Sequence, residues 1–296
     1  MSLSLFNLLA TDLIFVIVFP GWSSIKIGAL ESFSSDNKTG RIRGTFLTIV
    51  NTAWLISPYF ASKILEKFDF FGLYGISAIL LLPVIILILI KFRDIVEPRY
   101  EKLPFWKSLE EIWTDRDIKG ILIIQILLQF FYAWMVIYTP IYLHQTIGFS
   151  WSLIGAIFTV MLLPFVIFEA PFGRLADKNG EKKSLSLGFI IIAVSMILIA
   201  FVTDNNPIIW AGILFLSRIG AAIIEVMADT YFFKKVSVEK THLISFNRMT
   251  RPIAYVIGPI IATILFTVFD MRGLFIFLAF LMLYGLRYSL AIRDIK

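Results

Sequence analysis

The chain has 296 residues, of which 58% are hydrophobic and only 16% are charged, so it has too few polar residues to cover a soluble domain of that length. With no cysteine and two histidines, disulfides, thiolate metal sites and a cysteine nucleophile are excluded, and neither a metal nor a cofactor is expected. The net charge of +6 lies mostly between apolar runs, which favours contact with an anionic lipid face and argues against nucleic acid as a partner.

Apolar runs long enough to cross a bilayer predict an all-α, polytopic bundle of about nine transmembrane helices. The first three are predicted at 3–35, 43–65 and 70–91. The clearest run, from Leu73 to Ile90, has eighteen residues without a charge. A Pro-Gly pair at 20–21 predicts a kink in the first helix. Residues 1–91 are therefore predicted to form a partial transmembrane half of three helices.

The only long polar stretch, 92–118, is predicted to link two domains. Within it, the apolar residues at 106, 109, 112 and 113 share one face of a short helix, which we expect to lie on the cytoplasmic membrane surface. Residues 119–296 are predicted to form a second half of six transmembrane helices, at 119–143, 151–173, 184–203, 207–233, 243–269 and 273–290.

The distribution of lysine and arginine predicts the orientation of the chain. Loops on one side carry 20 of these residues, whereas the opposite loops carry only Lys63, Lys67 and Arg272. By the positive-inside rule the first side is cytoplasmic and includes the C-terminus. With nine crossings the N-terminus is expected outside, and we expect no signal peptide because no basic segment precedes Asp12.

A basic loop is predicted between the fifth and sixth helices. It reads G-R-L-A-D-K-N-G-E-K-K over 173–183, and its spacing resembles the G-x-x-x-D-[RK]-x-G-x-[RK]-[RK] motif of the major facilitator superfamily. The matching residues are Gly173, Arg174, Asp177, Lys178, Gly180, Lys182 and Lys183. The resemblance implies a secondary transporter fold and a cytoplasmic gate, in which Asp177 meets the start of the helix near Leu243. A basic residue of the loop would pair with an acid on a neighbouring helix, for which Asp229 is the candidate.

Two short internal matches relate the halves. Lys26-Ile27-Gly28-Ala29 is similar to the segment that begins at Arg218, and Ile56-Ser57-Pro58 is similar to Ile257-Gly258-Pro259. Their order suggests that the chain corresponds to helices four to twelve of a major facilitator protein and lacks the first three. Transport by the chain alone is therefore not expected, because the resemblance implies that the first helix lines part of the substrate cavity. Pro58, Gly258 and Pro259 are predicted to bend their helices.

Polar residues inside predicted spans are candidates for a substrate cavity or for proton coupling. They are Lys26, Glu31, Asn51, Gln125, Gln129, Arg218 and Glu225. Helical spacing places Arg218, Glu225 and Asp229 on one face of their helix, and Gln125 and Gln129 on one face of another. The alternative for each of them is a structural role, in helix–helix hydrogen bonds or as a charge that reaches the membrane surface.

Three classes of function follow. The first is a proton-coupled transporter in the cell membrane, an antiporter that exports small molecules by alternating access. The second is a truncated, non-transporting membrane or interaction protein derived from the same fold. An enzyme is not expected, because the sequence has no nucleophile–base, metal or phosphate-loop pattern. The expected partners are a small-molecule substrate, protons and the lipid bilayer, together with either the missing helices or another subunit.

Overall fold

The computed structural model describes residues 39–91, 105–179, 181–236 and 241–293, without the side chains of 39–54, 83–84, 87–89, 91, 105, 169–170, 173–179 and 241. Within these ranges every regular element is a helix, which confirms the predicted all-α class. The eight helices are α1 (Thr39–Lys91), α2 (Phe105–Thr114), α3 (Arg116–Gln145), α4 (Trp151–Asn179), α5 (Lys182–Phe201), α6 (Pro207–Lys235), α7 (Thr241–Leu265) and α8 (Met271–Ala291).

α1 contains the second and third predicted spans. Its path breaks at Asp69, which has φ 59° and ψ −175°, so two helices meet there with almost no connecting loop. The break falls between the predicted ranges 43–65 and 70–91. The first predicted helix, 3–35, lies outside the described residues, as do Lys26 and Glu31.

The break at Asp69 resembles the start of α8. Phe68-Asp69-Phe70-Phe71-Gly72-Leu73 matches Phe269-Asp270-Met271-Arg272-Gly273-Leu274 at four of six positions. Asp270 caps α8 by accepting a hydrogen bond from the backbone N–H of Gly273 at 2.9 Å. A Cβ atom on either glycine would collide with the Cβ of the phenylalanine four residues earlier. The two segments are separated by the same number of residues as Pro58 and Pro259. Both matches therefore align the same part of α1 with the region from α7 to α8.

The helix predicted in the linker is present as α2. It does not, however, turn all its apolar residues to one side. Ser108 and Ile112 are buried against the bundle, whereas Trp106 and Trp113 are 75% and 61% exposed. The buried face of α2 contacts α3 and the first residues of α7, which leaves the two indole rings on the outer side.

α3 is the central helix of the C-terminal bundle and contacts α2, α6, α7 and α8. It begins at an Asp115 cap, whose carboxylate accepts from the N–H groups of Asp117 and Ile118. Large side chains fill the space around it, and Trp134, Phe131 and Tyr142 have no exposed surface. The ring of Tyr142 meets those of Trp210 on α6 and Phe275 on α8 edge to face, and Trp134 packs against Phe277 of α8, so these rings help to fix the position of α3 in the core.

Small residues let α5 approach its neighbours closely. Gly188 of α5 faces Gly220 of α6, and a Cβ on Gly220 would lie 2.8 Å from the Gly188 carbonyl oxygen. On another side of α5, Phe189 packs against Gly285 of α8 with no room for a side chain there. Glycine contacts of this kind are typical of helix pairs in membranes, where close backbone approach replaces hydrophobic driving force.

The predicted loop at 173–183 is shorter in the structure. α4 continues through Asn179 and α5 begins at Lys182, so the positions of Arg174 and Asp177 lie on the last two turns of α4. The prediction of a loop there was wrong because charged side chains do not end a helix. Leucine, alanine, arginine and lysine favour it, and the first helix breaker is the Asn-Gly pair at 179–180.

Five described helices are long and apolar enough to cross a membrane: α3, α5, α6, α8 and the segment Trp151–Phe168 of α4. α7 falls outside this set because Asn247, Arg248 and Arg251 reduce its hydropathy. On α5 the exposed apolar residues Leu187, Ile190, Val194, Ile197 and Phe201 form one continuous stripe. A stripe of that length is expected to face lipid, and the chain is a multi-pass membrane protein.

Candidate functional site: a polar cluster and a basic end

Two hydrogen bonds join the middles of α3 and α6. Tyr132 Oη donates to Glu225 Oε2 at 2.6 Å, and Gln125 Nε2 donates to Asp229 Oδ1 at 2.7 Å. Tyr132 follows Gln125 whereas Glu225 precedes Asp229, so the two helices run antiparallel and each contributes one face. These four residues and Arg218 are called the mid-helix cluster. The two faces that the sequence predicted separately are therefore opposite each other.

Aromatic rings surround the cations of this region. The Arg218 guanidinium carbon lies 4.9 Å from the ring centroid of Phe131 and 5.5 Å from that of Tyr132. On α7, Arg251 lies over Tyr255 at 5.7 Å. Both arginines are close enough for their charge to act on Glu225. Favourable contact with ring faces partly offsets the cost of holding a guanidinium away from water.

The mid-helix cluster opens towards one side of the bundle. Glu225 and Tyr132 are half-buried and Asp229 is exposed, whereas Arg218 is buried. Gln129 lies on the same face of α3, and its Oε1 atom is buried without a hydrogen-bond donor. The described part of the chain thus presents a polar strip, open at one edge, between otherwise apolar helices. Such a strip suits a solute or proton pathway.

A second group of charges lies at the end of the bundle that carries the α4–α5 connection and the C-terminal residues. Glu181, which has no exposed surface, accepts a hydrogen bond from Lys234 Nζ at 2.8 Å. Lys235 Nζ lies 3.1 Å from Asp117 Oδ2. These contacts connect the end of α6 to the starts of α5 and α3. We call this region the basic end.

Two further contacts extend the basic end to α2, α7 and α8. His242 Nε2 lies 2.8 Å from Glu111 Oε2, which joins the start of α7 to α2. Tyr231 Oη donates to the Arg293 carbonyl oxygen at 2.9 Å and holds the end of the chain against α6. Six of the described helices therefore meet through polar contacts at this end.

The motif residues are placed only in part. Gly173, Arg174, Asp177 and Lys178 lie in the last turns of α4, but their side chains are outside the described residues, as is all of Gly180. Lys182 is half-buried and Lys183 exposed at the start of α5. The gate contacts of Asp177 remain a prediction. So does an ion pair between Asp229 and the motif, although the hydrogen-bond partner of Asp229 among the described residues is Gln125.

The three residues predicted to bend helices lie inside helices that continue past them. Pro58 is within α1, where it and Ser62 pack against Gly155 of α4. Gly258 and Pro259 are within α7, and the Trp134 indole N–H donates to the Gly258 carbonyl oxygen at 3.0 Å. Gly258 thus provides space for α3, and the bend at these positions stays a prediction. Asn51 lies in α1, but its side chain is not described.

Glu181, the buried acid of the basic end, is not among the residues predicted from the sequence. It occupies a variable position of the motif, so the motif gives it no role. The signal was available, because Glu181 is the only acid between Asp177 and the end of α5 and is surrounded by basic residues. The sequence predicts for its partner, Lys234, only that it is one of the 20 basic residues on the cytoplasmic side. The His242–Glu111 contact has no such signal, since it depends on how α2 folds back.

Comparison with known proteins identifies the family. The model of the Major Facilitator Superfamily matches residues 142–292. A protein of Escherichia coli (strain K12), described as an uncharacterized MFS-type transporter YdeE, is 30% identical over 131 residues. The matched segment makes up 43% of this chain and 32% of that relative, so it spans about a third of the relative's length. Because the family match extends from the end of α3 to the end of α8 and covers half of the chain, this chain belongs to the Major Facilitator Superfamily.

Proposed function

We propose that the chain is part of a secondary active transporter that exports small molecules in exchange for protons by alternating access. Its place would be the cell membrane, with the C-terminus cytoplasmic as the charge distribution predicts. Further helices or another subunit would complete the wall opposite the mid-helix cluster. The repeated Phe-Asp-x-x-Gly-Leu segments support this, because related halves with a site between them are typical of transporters.

The observation that carries the proposal is the position of the Glu225 carboxylate in α6, where it is hydrogen-bonded to α3. This carboxylate lies near the middle of α6, accepts a hydrogen bond from Tyr132 and is close to the charges of Arg218 and Arg251. An ionisable group at that depth is costly and is retained where it serves a pathway. We infer that Glu225 gains and loses the coupling proton, and that Tyr132 holds its carboxylate in position.

The basic end would act as the gate. A gate that opens in each cycle needs contacts that break readily, and partly solvated ion pairs meet that need better than fully buried ones. The side chains of Lys234 and Lys235 are 33% and 31% exposed. Their acidic partners Glu181 and Asp117 are more buried than the lysines, whereas Asp115 is about equally exposed. We propose that Asp177 adds a contact to the start of α7 in the same closed state.

The test is transport by vesicles from the membrane in which the protein normally occurs, where any additional subunit is present. Tetraphenylphosphonium, ethidium and benzoate serve as probes, with and without an imposed pH gradient. We expect at least one probe to move against its gradient, and a protonophore to stop it. Glu225→Gln keeps the hydrogen bond but cannot lose a proton, so gradient-driven movement should fall at least about tenfold.

Asp204→Asn is the matched control, because this exposed acid lies in the loop before α6. Movement of every probe at the same rate in vesicles without the protein would contradict the proposal. If Glu225→Gln and Asp204→Asn transport equally well, Glu225 is not the coupling group. The second class of function, a non-transporting membrane protein, requires that no gradient-driven movement depends on the chain.

A further inference from the structure

We propose that the end of the bundle opposite the basic end carries a proton-responsive contact, in which protonation of His144 draws the α3–α4 connection towards the break of α1. The charge distribution predicts that this end faces outward, so the contact would respond to the pH outside the cell. It can be measured without any transport, and its test is therefore independent of the proposed function.

An open pocket of about 540 Å³ separates the break of α1 from the end of α3. From α1 its wall includes three charged residues, Glu66, Lys67 and Asp69. The opposite wall includes the imidazole of His144 and the indole of Trp151. The pocket thus places a group that can gain a proton opposite two carboxylates and one lysine.

The His144 ring is held in a defined orientation. Its Nδ1 atom lies 2.8 Å from the carbonyl oxygen of Phe149. A carbonyl oxygen only accepts, so Nδ1 carries a proton and Nε2 is the atom that gains one at lower pH. The ring also stacks on the Trp151 indole, with centroids 4.3 Å and planes 27° apart. Protonation therefore turns a ring that is already aligned into a cation.

The two carboxylates of the α1 wall are available to that cation. Within the described part of the chain, neither Glu66 nor Asp69 has a basic side chain within 4 Å. The ammonium groups of Lys63 and Lys67 lie over the rings of neighbouring aromatic residues instead, 4.5 and 5.3 Å from their centroids. Two acids and one lysine give the α1 wall of the pocket a net charge of −1, which attracts a protonated imidazole.

The repeated Phe-Asp-x-x-Gly-Leu segments differ at the acid that lines this pocket. Asp270 has φ −80° and its carboxylate caps α8. Asp69 has φ 59°, in the left-handed region that residues other than glycine rarely adopt. Its carboxylate forms no hydrogen bond with another described residue. A segment that loses its cap and takes an uncommon backbone conformation indicates another use for the carboxylate.

Trp151 connects His144 to α1. Its indole meets the ring of Phe70, the first residue after the break, edge to face at 5.9 Å, and it also stacks on His144. With a neutral imidazole, ring packing alone holds the two walls at this point. Protonation adds attraction to the indole face and to the carboxylates, so we expect the walls to approach when the pH falls.

Tryptophan fluorescence tests whether His144 gains the proton, because an imidazolium quenches a stacked indole more strongly than a neutral imidazole does. The full chain is placed in lipid nanodiscs and titrated from about pH 8 to about pH 5. Emission should fall by up to about one seventh, since one of seven tryptophans responds. Trp151→Phe and His144→Gln should remove the fall. His242→Gln, which changes the other histidine of the chain, is the matched control and should keep it.

Pairs of spin labels test whether the walls approach. Lys63→Cys with Gln145→Cys places labels on α1 and at the end of α3, on exposed positions. The fraction of molecules with the shorter distance should be at least about twofold larger at pH 5 than at pH 8. Gln145→Cys with Asp204→Cys lies within the C-terminal bundle and should show no change. His144→Gln in the first pair should remove the pH dependence.

The carboxylates are tested by combining Glu66→Gln with Asp69→Asn. This variant should lose the approach of the labels but keep the fall in emission, because His144 still gains its proton. The unfolding midpoint at pH 8 shows which variants are folded, and His144→Phe, which keeps a stacked ring without a proton, replaces His144→Gln if that variant is unfolded. A fall in emission that survives without His144, or a label distance that is independent of pH in the wild type, would overturn the inference.

Discussion

Loss of the lysine partner of Glu181 should destabilise the protein more than loss of Glu181 itself. The two groups are 2.8 Å apart, where unit charges attract by about 1.5 kcal/mol at the dielectric constant of water and about 6 kcal/mol at an effective value of 20. Lys234 is 33% exposed and Glu181 0% exposed, so we expect a coupling energy of about 2 kcal/mol, in the lower part of that range.

The asymmetry follows from burial. Lys234→Met leaves a buried carboxylate with no cation, and its second oxygen already lacks a partner, so the free energy of unfolding should fall by about 3 kcal/mol. Glu181→Gln removes the buried charge and should cost about 1 kcal/mol. In the double variant the two losses overlap, and the total should be about 2 kcal/mol.

The assay is reversible unfolding in mixed micelles by titration with SDS, followed by circular dichroism. Lys183→Met is the control, because this exposed lysine of α5 should change the free energy of unfolding by less than about 0.5 kcal/mol. Equal losses for Lys234→Met and Glu181→Gln, or additive losses in the double variant, would refute an ion pair between a buried carboxylate and a partly exposed lysine.

Gly220→Leu should separate α5 from α6, because the new side chain meets the backbone of Gly188. In the same SDS titration its free energy of unfolding should fall by about 1 to 3 kcal/mol. Gly212→Leu, with open space around it, should change that free energy little. A reporter active only in the cytoplasm should be active when fused after Lys183 and silent after Asn205, and the reverse pattern would overturn the orientation. Asp177→Asn should reduce transport while the amount of protein in the membrane stays normal, whereas unchanged transport would leave this position as part of a helix end only.

Helix positions could be predicted well because their ends carry local signals. Asn206 and Pro207 start α6, and Asp270 starts α8, with a side chain that caps the first turn in each case. The end of α4 was predicted too early, at residue 173, because basic residues were interpreted as a loop. Charge predicts which side of a membrane a residue faces, but it does not end a helix.

The candidate site could be predicted only as separate faces. Helical spacing places Gln125 with Gln129, and Arg218 with Glu225, without showing that α3 and α6 lie side by side. The Tyr132–Glu225 hydrogen bond depends on that packing, which is set by contacts distributed over the whole bundle. The Glu181–Lys234 pair likewise joins residues 53 positions apart in the chain, so the local pattern that singles out Glu181 does not identify Lys234 as its partner.

Alternating access requires that one mid-membrane position be reached from each side of the membrane in turn. The chain has no cysteine, so a single introduced thiol reports on its own position. Gln129→Cys places one on the face of the mid-helix cluster, and Met196→Cys, in the closed core, is the control. A membrane-impermeant maleimide is applied to right-side-out and inside-out vesicles. If access alternates, Gln129→Cys should be labelled from both sides and Met196→Cys from neither. Labelling of Gln129→Cys from one side only, or from neither, would contradict alternating access.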